Sequence, residues 1–235
     1  MDTIQILLAL AAQMKSKIWH LDVKSAFLNG NLDEEIYVAQ PAGFLVKGRE
    51  DKVYKLHKTL YGLKQAPRAW YNKIDSHFLN QGFKRSENDA TLYVRRLLDG
   101  GSLIVSLYVD DLLVTSNNQQ EVQQLMEEMK NQFEMSSLGE MNYFLGLEVH
   151  QSESGIFLYQ EKYAREVLKK FKMESCNSAS TPLVWNLKLS KELSKEDEAE
   201  KIDASHYRSL IGSLLYLTSS RPDLMYATSL LSRSM

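Results

Sequence analysis

Residues 102–116, SLIVSLYVDDLLVTS, place two apolar runs on either side of a pair of adjacent acids. Both runs are rich in the aliphatic, β-branched and aromatic residues that favour strands. We therefore predict a buried hairpin whose tight turn carries Asp110 and Asp111. Two carboxylates at one turn repel each other, and burial raises the free energy of each charge. A divalent cation would offset both penalties, whereas an ordinary Asp-rich turn is the alternative interpretation.

The composition limits the classes of protein to which the chain can belong. It has 235 residues, is 44% hydrophobic and carries a formal net charge of −2. Its length and hydrophobic fraction predict one or two domains with a substantial hydrophobic core. This charge argues against a polycationic nucleic-acid coat protein but allows a local basic groove. The single cysteine, Cys176, excludes an intramolecular disulfide and a cysteine-based zinc site. We expect an intracellular chain, cytoplasmic or nuclear, that is not secreted and has no membrane partner.

Helix and strand patterns alternate over the first two thirds of the chain. Apolar spacing and end signals predict helices over residues 2–17, 67–81 and 119–133, and strands over 18–23, 36–40, 91–97, 141–150 and 155–159. After Gln160 the patterns predict only helices, over 161–172, 205–219 and 222–234. The charge-dense run at 191–203 is typical of a linker or a solvated helix. The order predicts an α+β fold followed by a helical region.

The window from residue 47 to residue 73 is basic, although the chain is net acidic. Its eight Lys and Arg residues face only two acids, a local charge of about +6. Four aromatic residues are interleaved with these charges: Tyr54, Tyr61, Trp70 and Tyr71. This combination is typical of a groove for single strands or a primer–template. The alternative is a solvated face whose aromatic residues pack in the core.

A third acid, Asp22, lies near the end of the strand predicted at 18–23. If that strand neighbours the hairpin, Asp22, Asp110 and Asp111 converge. Oxygen ligands without His or Cys suit Mg²⁺, and two such ions about 4 Å apart would serve in-line phosphoryl transfer. We expect Asp110 and Asp111 to differ in role, because neighbouring strand residues point to opposite faces. The five histidines show no ligand spacing, and we interpret them and Cys176 as non-catalytic.

Five stretches, in this order, resemble the reverse transcriptases of copia-type long-terminal-repeat retrotransposons over nearly the whole chain. They are WHLDVKSAFLNGNLDEEIYVAQPAGF (19–44), LYGLKQAPRAWY (60–71), LYVDDLLVTS (107–116), YFLGLEV (143–149) and YRSLIGSLLYLTSSRPDL (207–224). The resemblance implies a right-hand polymerase: an α+β palm with an antiparallel sheet and helices on one face, partial fingers and a helical thumb. It implies a palm at 1–155 with a fingers-like insertion at about 36–100, and a thumb and connection at 156–235.

The resemblance also implies roles for individual residues. Asp22, Asp110 and Asp111 resemble the catalytic, metal-binding triad, with the carbonyl of Val23 as a further metal ligand. Phe27 resembles a gate whose ring excludes a 2′-hydroxyl and so favours deoxynucleotides. Further contacts are implied with the nucleotide (Tyr61, Gly62, Lys64 and Gln65) and with the primer and template (Arg68, Tyr108, Phe144, Leu145, Gly146 and Leu147).

The implied function is RNA-directed DNA polymerisation. The implied cofactors are two Mg²⁺ ions, with Mn²⁺ as a substitute, and the implied partners are an RNA or DNA template with its primer and deoxynucleoside triphosphates. Two departures argue for weak or absent activity of this isolated chain. The upstream fingers stretch and the ribonuclease H portion of the family lie outside these 235 residues. Residues 134–137 lack a lysine that relatives often carry, so its role is unfilled or falls to Lys130. The alternative is a degenerate or repurposed retrotransposon fragment that binds nucleic acid without catalysis.

Overall fold

A computed structural model of the chain describes residues 2–184 and 203–233. The α-helices in these ranges are α1 (Asp2–Gln13), α2 (Ala66–Asn80), α3 (Gln119–Gln132), α4 (Glu161–Lys170), α5 (Ala204–Leu217) and α6 (Met225–Ser232). The strands are β1 (Ile18–Val23), β2 (Tyr37–Ala39), β3 (Val53–Lys55), β4 (Lys84–Arg85), β5 (Leu92–Arg96), β6 (Ser102–Tyr108), β7 (Asp111–Ser116), β8 (Met135–Glu140), β9 (Tyr143–Phe144), β10 (Leu147–Ser152) and β11 (Gly155–Tyr159). Short 3₁₀ helices span Ala26–Asn29 and Pro222–Leu224.

The strands form antiparallel sheets. The largest has six strands in the order β4-β5-β6-β7-β1-β8, a second has the order β11-β10-β9, and β2 pairs with β3. In the largest sheet β1 lies between β7 and β8, and its residues pair with β7 from Ile18 opposite Thr115 to Asp22 opposite Asp111. The fold is therefore mixed α and β with antiparallel sheets, as the sequence predicts. The strand nearest the N-terminus lies beside the second strand of the two-acid hairpin.

The described residues fall into two compact units. One comprises residues 2–141 and Gln151–Ile156, and it contains the six-stranded sheet, β2, β3 and α1 to α3. The other comprises Asn142–His150, 157–184 and 203–233, with β9 and α4 to α6. The assignment of palm, fingers and thumb stays a prediction. No helix in the described ranges combines the length and the apolar character needed to cross a membrane.

Helices α2 and α3 supply the apolar side chains that cover one face of the six-stranded sheet. Each fully buried large apolar side chain contributes about 1.5–3 kcal/mol of stability. The shared core contains side chains from β1 (Leu21 and Val23), β7 (Leu112 and Val114), α2 (Trp70, Ile74 and Phe78) and α3 (Val122, Leu125, Met126 and Met129). Strand side chains alternate between the two faces of a sheet. The side chains of His20 and Asp22 on β1 and of Asp111 on β7 therefore lie on the face opposite this core.

The turn of the central hairpin differs from the prediction. β6 ends at Tyr108, β7 begins at Asp111, and these two residues pair across the strands. The turn therefore consists of Val109 and Asp110, and the prediction that it also contains Asp111 is wrong. The pairing register sets this difference. Leu107 lies opposite Leu112, both are buried, and a slip of one residue would move the apolar side chains to the other face.

Other boundaries also required the tertiary structure. Residues 141–150, predicted as one strand, form β9 and β10 around a turn at Leu145 and Gly146, whose φ angles are 47° and 82°. The sequence analysis missed β8, whose Ser- and Gly-containing sequence has weak strand propensity but pairs with β1. The first helix ends at Gln13 and not at residue 17. The charge-dense run at 191–203 lies outside the described residues except for Asp203, which caps α5.

Candidate active site

The three acids come together at one end of the six-stranded sheet. Asp22 and Asp111 are direct cross-strand partners on β1 and β7, and side chains in such pairs share one face with Cβ atoms about 4.5–5.5 Å apart. Asp110 joins them through the backbone, because its carbonyl accepts a hydrogen bond of 2.8 Å from the amide of Val23. Residues separated by almost ninety positions therefore meet through the pairing of two strands.

Negative charge is concentrated at this end of the sheet. Burial raises the pKa of the Asp22 carboxyl above its ordinary value, and the negative charges of Asp111 and Asp110 raise it further. His20 and Lys24 oppose this shift. The donor set consists of carboxylate oxygens, which fit Mg²⁺, although no three His, Cys, Asp or Glu side chains in the described ranges form a preassembled metal cluster.

A histidine that the sequence analysis interpreted as non-catalytic contacts the site directly. His20 Nε2 lies 2.7 Å from Asp111 Oδ1, and the exposed fractions of the two side chains are only 10% and 25%. The signal was present in the sequence, since a residue two positions before Asp22 in a strand shares its face. The contact also makes the two hairpin acids different. Asp111, in β7, is hydrogen-bonded to the imidazole of His20, whereas Asp110 lies in the turn.

The turn that carries Asp110 has a strained backbone. Val109 has a φ of 57°, which is uncommon for a β-branched residue and costs about 1–3 kcal/mol. The indole Nε1–H of Trp70 donates a hydrogen bond of 2.6 Å to the carbonyl of Val109. Trp70 is buried in α2 and packs edge-to-face on Phe133 at 5.3 Å. For Trp70 the core alternative is therefore confirmed, and its hydrogen bond fixes the turn.

The predicted gate residue contacts another residue of the predicted nucleotide pocket. Phe27 lies on the 3₁₀ helix that follows β1, and its ring centroid is 4.9 Å from that of Tyr61. The hydroxyl of Thr59 donates a hydrogen bond to the carbonyl of Phe27. Next to Tyr61, Gly62 has a φ of 91°, a conformation that glycine adopts without strain. Phe27 and Tyr61 thus form one aromatic surface.

Three more of the predicted binding residues line one groove. Lys64 and Gln65 directly precede α2 and Arg68 lies in its first turn, and Asn31, Asp33 and Glu34 also line the groove. The groove is open and polar, with both signs of charge. It fits a charged ligand better than an apolar one.

The remaining predicted contacts divide between the two units. Tyr108 is half-exposed and directly precedes the turn with Asp110. In the second unit, Phe144 and Leu147 are buried and pair across the turn at Leu145 and Gly146. The hydroxyl of Tyr216 donates to the carbonyl of Leu145, and a Cβ on Gly146 would lie 2.9 Å from that hydroxyl oxygen. The turn is held in place by α5, and its contact with a primer stays a prediction.

We predict that Asp22→Asn stabilises the fold while it removes one charge from the site. The folded chain binds a proton at Asp22 more tightly than the unfolded chain, so the associated stability is lost as pH rises through the raised pKa. Asparagine avoids this loss. Repulsion at a partly exposed carboxylate amounts to less than about 1 kcal/mol, so at pH 7 we expect the melting temperature to rise by about 1–2 °C. The gain should shrink in acid, and Asp33→Asn, outside the cluster, should show none.

Comparison with known proteins identifies the family. Residues 1–185 match the family described as "Reverse transcriptase (RNA-dependent DNA polymerase)". The chain belongs to this family. The chain is 39% identical to the "Retrovirus-related Pol polyprotein from transposon TNT 1-94" of Nicotiana tabacum over 99% of its own length. It is 38% identical to the same type of polyprotein from transposon RE2 of Arabidopsis thaliana, again over 99% of its length.

A yeast relative is shorter than these polyproteins. The chain is 37% identical to a "Putative transposon Ty5-1 protein" of Saccharomyces cerevisiae, and the match covers 91% of the chain and 68% of that relative. The match covers only 18% of the tobacco polyprotein and 16% of the Arabidopsis polyprotein. These relatives confirm the resemblance to copia-type retrotransposon reverse transcriptases.

Proposed function

We propose that this chain is an RNA-directed DNA polymerase domain that adds deoxynucleotides to a primer. The observation that supports this most directly is the pairing of Asp22 with Asp111, with Asp110 bonded to Val23, in a member of the reverse transcriptase family. Carboxylates gathered where two strands end are a suitable support for phosphoryl transfer, since positioning and charge neutralisation supply most of that catalysis. In this proposal the first unit acts as the palm with a fingers-like insertion, and the second acts as the thumb.

The proposed cofactors are two Mg²⁺ ions, with Mn²⁺ as a substitute. The carboxylates of Asp22, Asp110 and Asp111 would hold them, together with the backbone carbonyl of Val23. When bound, such ions lower the pKa of the attacking primer hydroxyl and neutralise charge on the transferred and departing phosphates. Among the protein groups, His20 holds one oxygen of Asp111 and so limits how its carboxylate can rotate.

The proposed partners are deoxynucleoside triphosphates and a primer on an RNA or DNA template. The ring of Phe27, supported by Tyr61 and Thr59, would lie under the sugar of the incoming nucleotide. Lys64 and Arg68 would bind phosphate oxygens from the start of α2, and Gln65 would offer an amide to the nucleotide. Tyr108 and the turn at residues 144–147 would contact the primer.

A primer-extension assay tests this proposal. The chain is incubated with poly(A)/oligo(dT), deoxythymidine triphosphate and Mg²⁺, and the extended primer is resolved on a gel. We expect slow, template-dependent extension that stops when a chelator removes the metal. Binding of the primer–template without extension would contradict polymerase activity.

A second candidate function is nucleic-acid binding without catalysis. The observation that favours it is the short contact between His20 and Asp111, because an oxygen bound to an imidazole is less available to a metal ion. The two functions differ in one measurement, since both predict binding of a primer–template but only the first predicts metal-dependent extension.

We predict that Phe27→Ala relaxes discrimination between deoxynucleotides and ribonucleotides. Removal of the ring frees space for a 2′-hydroxyl, and selection by exclusion of this kind changes specificity by about 10–100-fold. The measurement is the ratio of kcat/KM for dTTP to kcat/KM for UTP in primer extension. Tyr61→Phe is the matched control, because it keeps the ring that contacts Phe27 and should leave the ratio within about twofold of the unmodified chain. An unchanged ratio in Phe27→Ala would show that Phe27 is not the gate.

A further inference from the structure

One tyrosine of the second unit contacts the turn between β9 and β10, and nothing in the proposed chemistry uses it. The turn consists of Leu145 and Gly146. The residues on either side of it, Phe144 and Leu147, pair with each other. The hydroxyl of Tyr216, near the end of α5, donates a hydrogen bond to the carbonyl of Leu145. A residue 71 positions later in the chain therefore contacts the turn directly.

The turn has a conformation that its own sequence only half favours. Leu145 and Gly146 have φ angles of 47° and 82°, and a two-residue hairpin turn with positive φ at both positions is of type I′. Asparagine followed by glycine is the usual choice for this turn. Leucine is strained in the left-handed region, because its Cβ approaches the carbonyl oxygen. The first position of the turn therefore needs support from outside the hairpin.

Tyr216 supplies this support at the strained residue itself. The carbonyl of Leu145 belongs to the middle peptide group of the turn, which the hydrogen bond that closes a hairpin turn does not use, and the hydroxyl of Tyr216 bonds it. A Cβ on Gly146 would lie 2.9 Å from that hydroxyl oxygen and 3.2 Å from the ring atom Cε1 of Tyr216. The tyrosine therefore approaches both residues of the turn, and glycine at position 146 leaves room for it.

Tyr216 is itself held by residues in and next to α4. The ring of Tyr163 packs edge-to-face on it, with 4.8 Å between the ring centroids. The side chain of Gln160, which is only 4% exposed, donates a hydrogen bond of 3.3 Å to the carbonyl of Tyr216 and accepts one of 2.7 Å from the hydroxyl of Ser220. A buried amide with both of its groups bonded fixes the backbone that it contacts. The hydroxyl of Tyr216 is therefore a fixed donor.

We propose that Tyr216 is a positioning residue for the 3′ end of the primer, which it aligns by holding the turn at Leu145 and Gly146 in its type I′ conformation. The inference rests on the proposed polymerase function for the contact between this turn and the primer. In-line phosphoryl transfer depends on where the attacking hydroxyl lies, and a displacement of about 1 Å lowers the rate about 100-fold. A turn that leaves its conformation therefore slows the reaction without releasing the primer.

Tyr216→Phe in the full chain tests the proposal, because it removes only the hydroxyl and keeps the ring that packs against Tyr163. In single-turnover extension we expect the rate constant to fall about 10–100-fold, while the Kd of the primer–template changes less than about threefold. The fraction of active molecules, measured by active-site titration, should stay unchanged. Partial unfolding would instead lower that fraction and leave the rate constant as it is.

The matched control is Tyr207→Phe. Tyr207 lies on the same helix as Tyr216, and its hydroxyl donates a hydrogen bond of 2.7 Å to the carbonyl of Leu231 in α6. Each variant therefore loses one bond from a tyrosine hydroxyl to a carbonyl, and both melting temperatures should fall by about 1–6 °C. Only Tyr216→Phe should slow extension.

A rescue variant tests the role of the turn. Asparagine adopts the left-handed region more readily than leucine does, so Leu145→Asn should let the turn keep its shape without the hydroxyl. Adding Tyr216→Phe to Leu145→Asn should lower the rate constant of that variant less than about twofold, against about 10–100-fold in the unmodified chain. An equal loss in both backgrounds would show that Tyr216 does not act through the turn.

A binding measurement separates this inference from the polymerase function. The probe is a primer–template whose primer ends in 2-aminopurine, a fluorescent base that stacking quenches, and it is bound to the full chain without nucleotide. We expect the fluorescence in Tyr216→Phe to rise above that in the unmodified chain and in Tyr207→Phe, because the primer end is held less firmly. If the unmodified chain binds this probe but does not extend it, the polymerase function fails and the fluorescence decides the inference.

Three results for the variants would overturn the inference. The first is an unchanged rate constant in Tyr216→Phe, or unchanged fluorescence if the unmodified chain binds without extension. The second is equal slowing in Tyr207→Phe, which would indicate a general loosening of α5. The third is a lower active fraction in Tyr216→Phe with the rate constant unchanged. An unmodified chain that binds no primer–template would overturn both the inference and the polymerase function.

Discussion

Replacing Asp110 by asparagine should reduce primer extension by at least about 10³-fold, equivalent to about 4 kcal/mol of activation free energy. The substitution keeps the size of the side chain and removes its charge. It also keeps the backbone hydrogen bond from Val23 to residue 110, because that bond involves the carbonyl and not the side chain. The turn between β6 and β7 should therefore retain its conformation, and the loss should reflect only the missing carboxylate.

The matched control is Asp99→Asn. Asp99 lies in the loop of the neighbouring hairpin, between β5 and β6, and accepts a hydrogen bond of 2.8 Å from the amide of Gly101. An asparagine oxygen can accept the same bond, so this variant changes one charge in a comparable loop of the same sheet. We expect extension within about twofold of the unmodified chain. If Asp110→Asn kept more than a tenth of the extension rate, the triad would not be the catalytic group.

Trp70→Ala should produce the largest loss of stability. Trp70 is buried, and truncation of a buried tryptophan costs about 3–5 kcal/mol. For a chain of this size the melting temperature should fall by about 6–20 °C. Trp70→Phe isolates the hydrogen bond, since phenylalanine keeps an aromatic ring against Phe133 but cannot donate to the carbonyl of Val109. We expect it to cost about 1–3 kcal/mol.

Trp70→Phe should lose primer extension even at temperatures where it remains folded. Without the indole donor, Val109 can leave its strained conformation and move Asp110 away from Asp22. We expect extension to fall about tenfold or more at a temperature where circular dichroism shows the chain fully folded. The matched control is Trp19→Phe, at the edge of the same core, where no indole hydrogen bond to a described residue is seen. A Trp70→Phe variant with full activity would show that the turn holds its shape without the indole.

Much of the fold could be predicted from local patterns. The strand at residues 18–23 and the helix that begins at Gln119 were predicted with correct or nearly correct ends, because alternation and apolar periodicity report the face that each element buries. β8 could not be predicted, since its stability comes from pairing with β1 and not from its own side chains. The turn of the central hairpin was misplaced by one residue because register depends on contacts across both strands.

The candidate site divides in the same way. Asp22 could be singled out by residue type and by its position at a predicted strand end, and Asp111 by residue type and by its adjacency to Asp110 in the predicted hairpin. The spacing of two between His20 and Asp22 indicates that both lie on one face of the strand. It does not indicate that His20 contacts Asp111, which lies on another strand. The donation from Trp70 to Val109 joins a helix to a turn 39 positions later in the chain. No local signal predicts such a contact.

The amino-acid sequence by itself determined the chemistry that this protein carries: three carboxylates, an aromatic gate candidate, a basic stretch and membership of the reverse transcriptase family. These depend on residue type and on order along the chain. Only the tertiary structure decided that β1 lies between β7 and β8, and so which acids face each other. The physical reason is that a strand's own pattern specifies which face is buried, whereas its neighbour is chosen by non-local packing and hydrogen bonding between segments far apart in the chain.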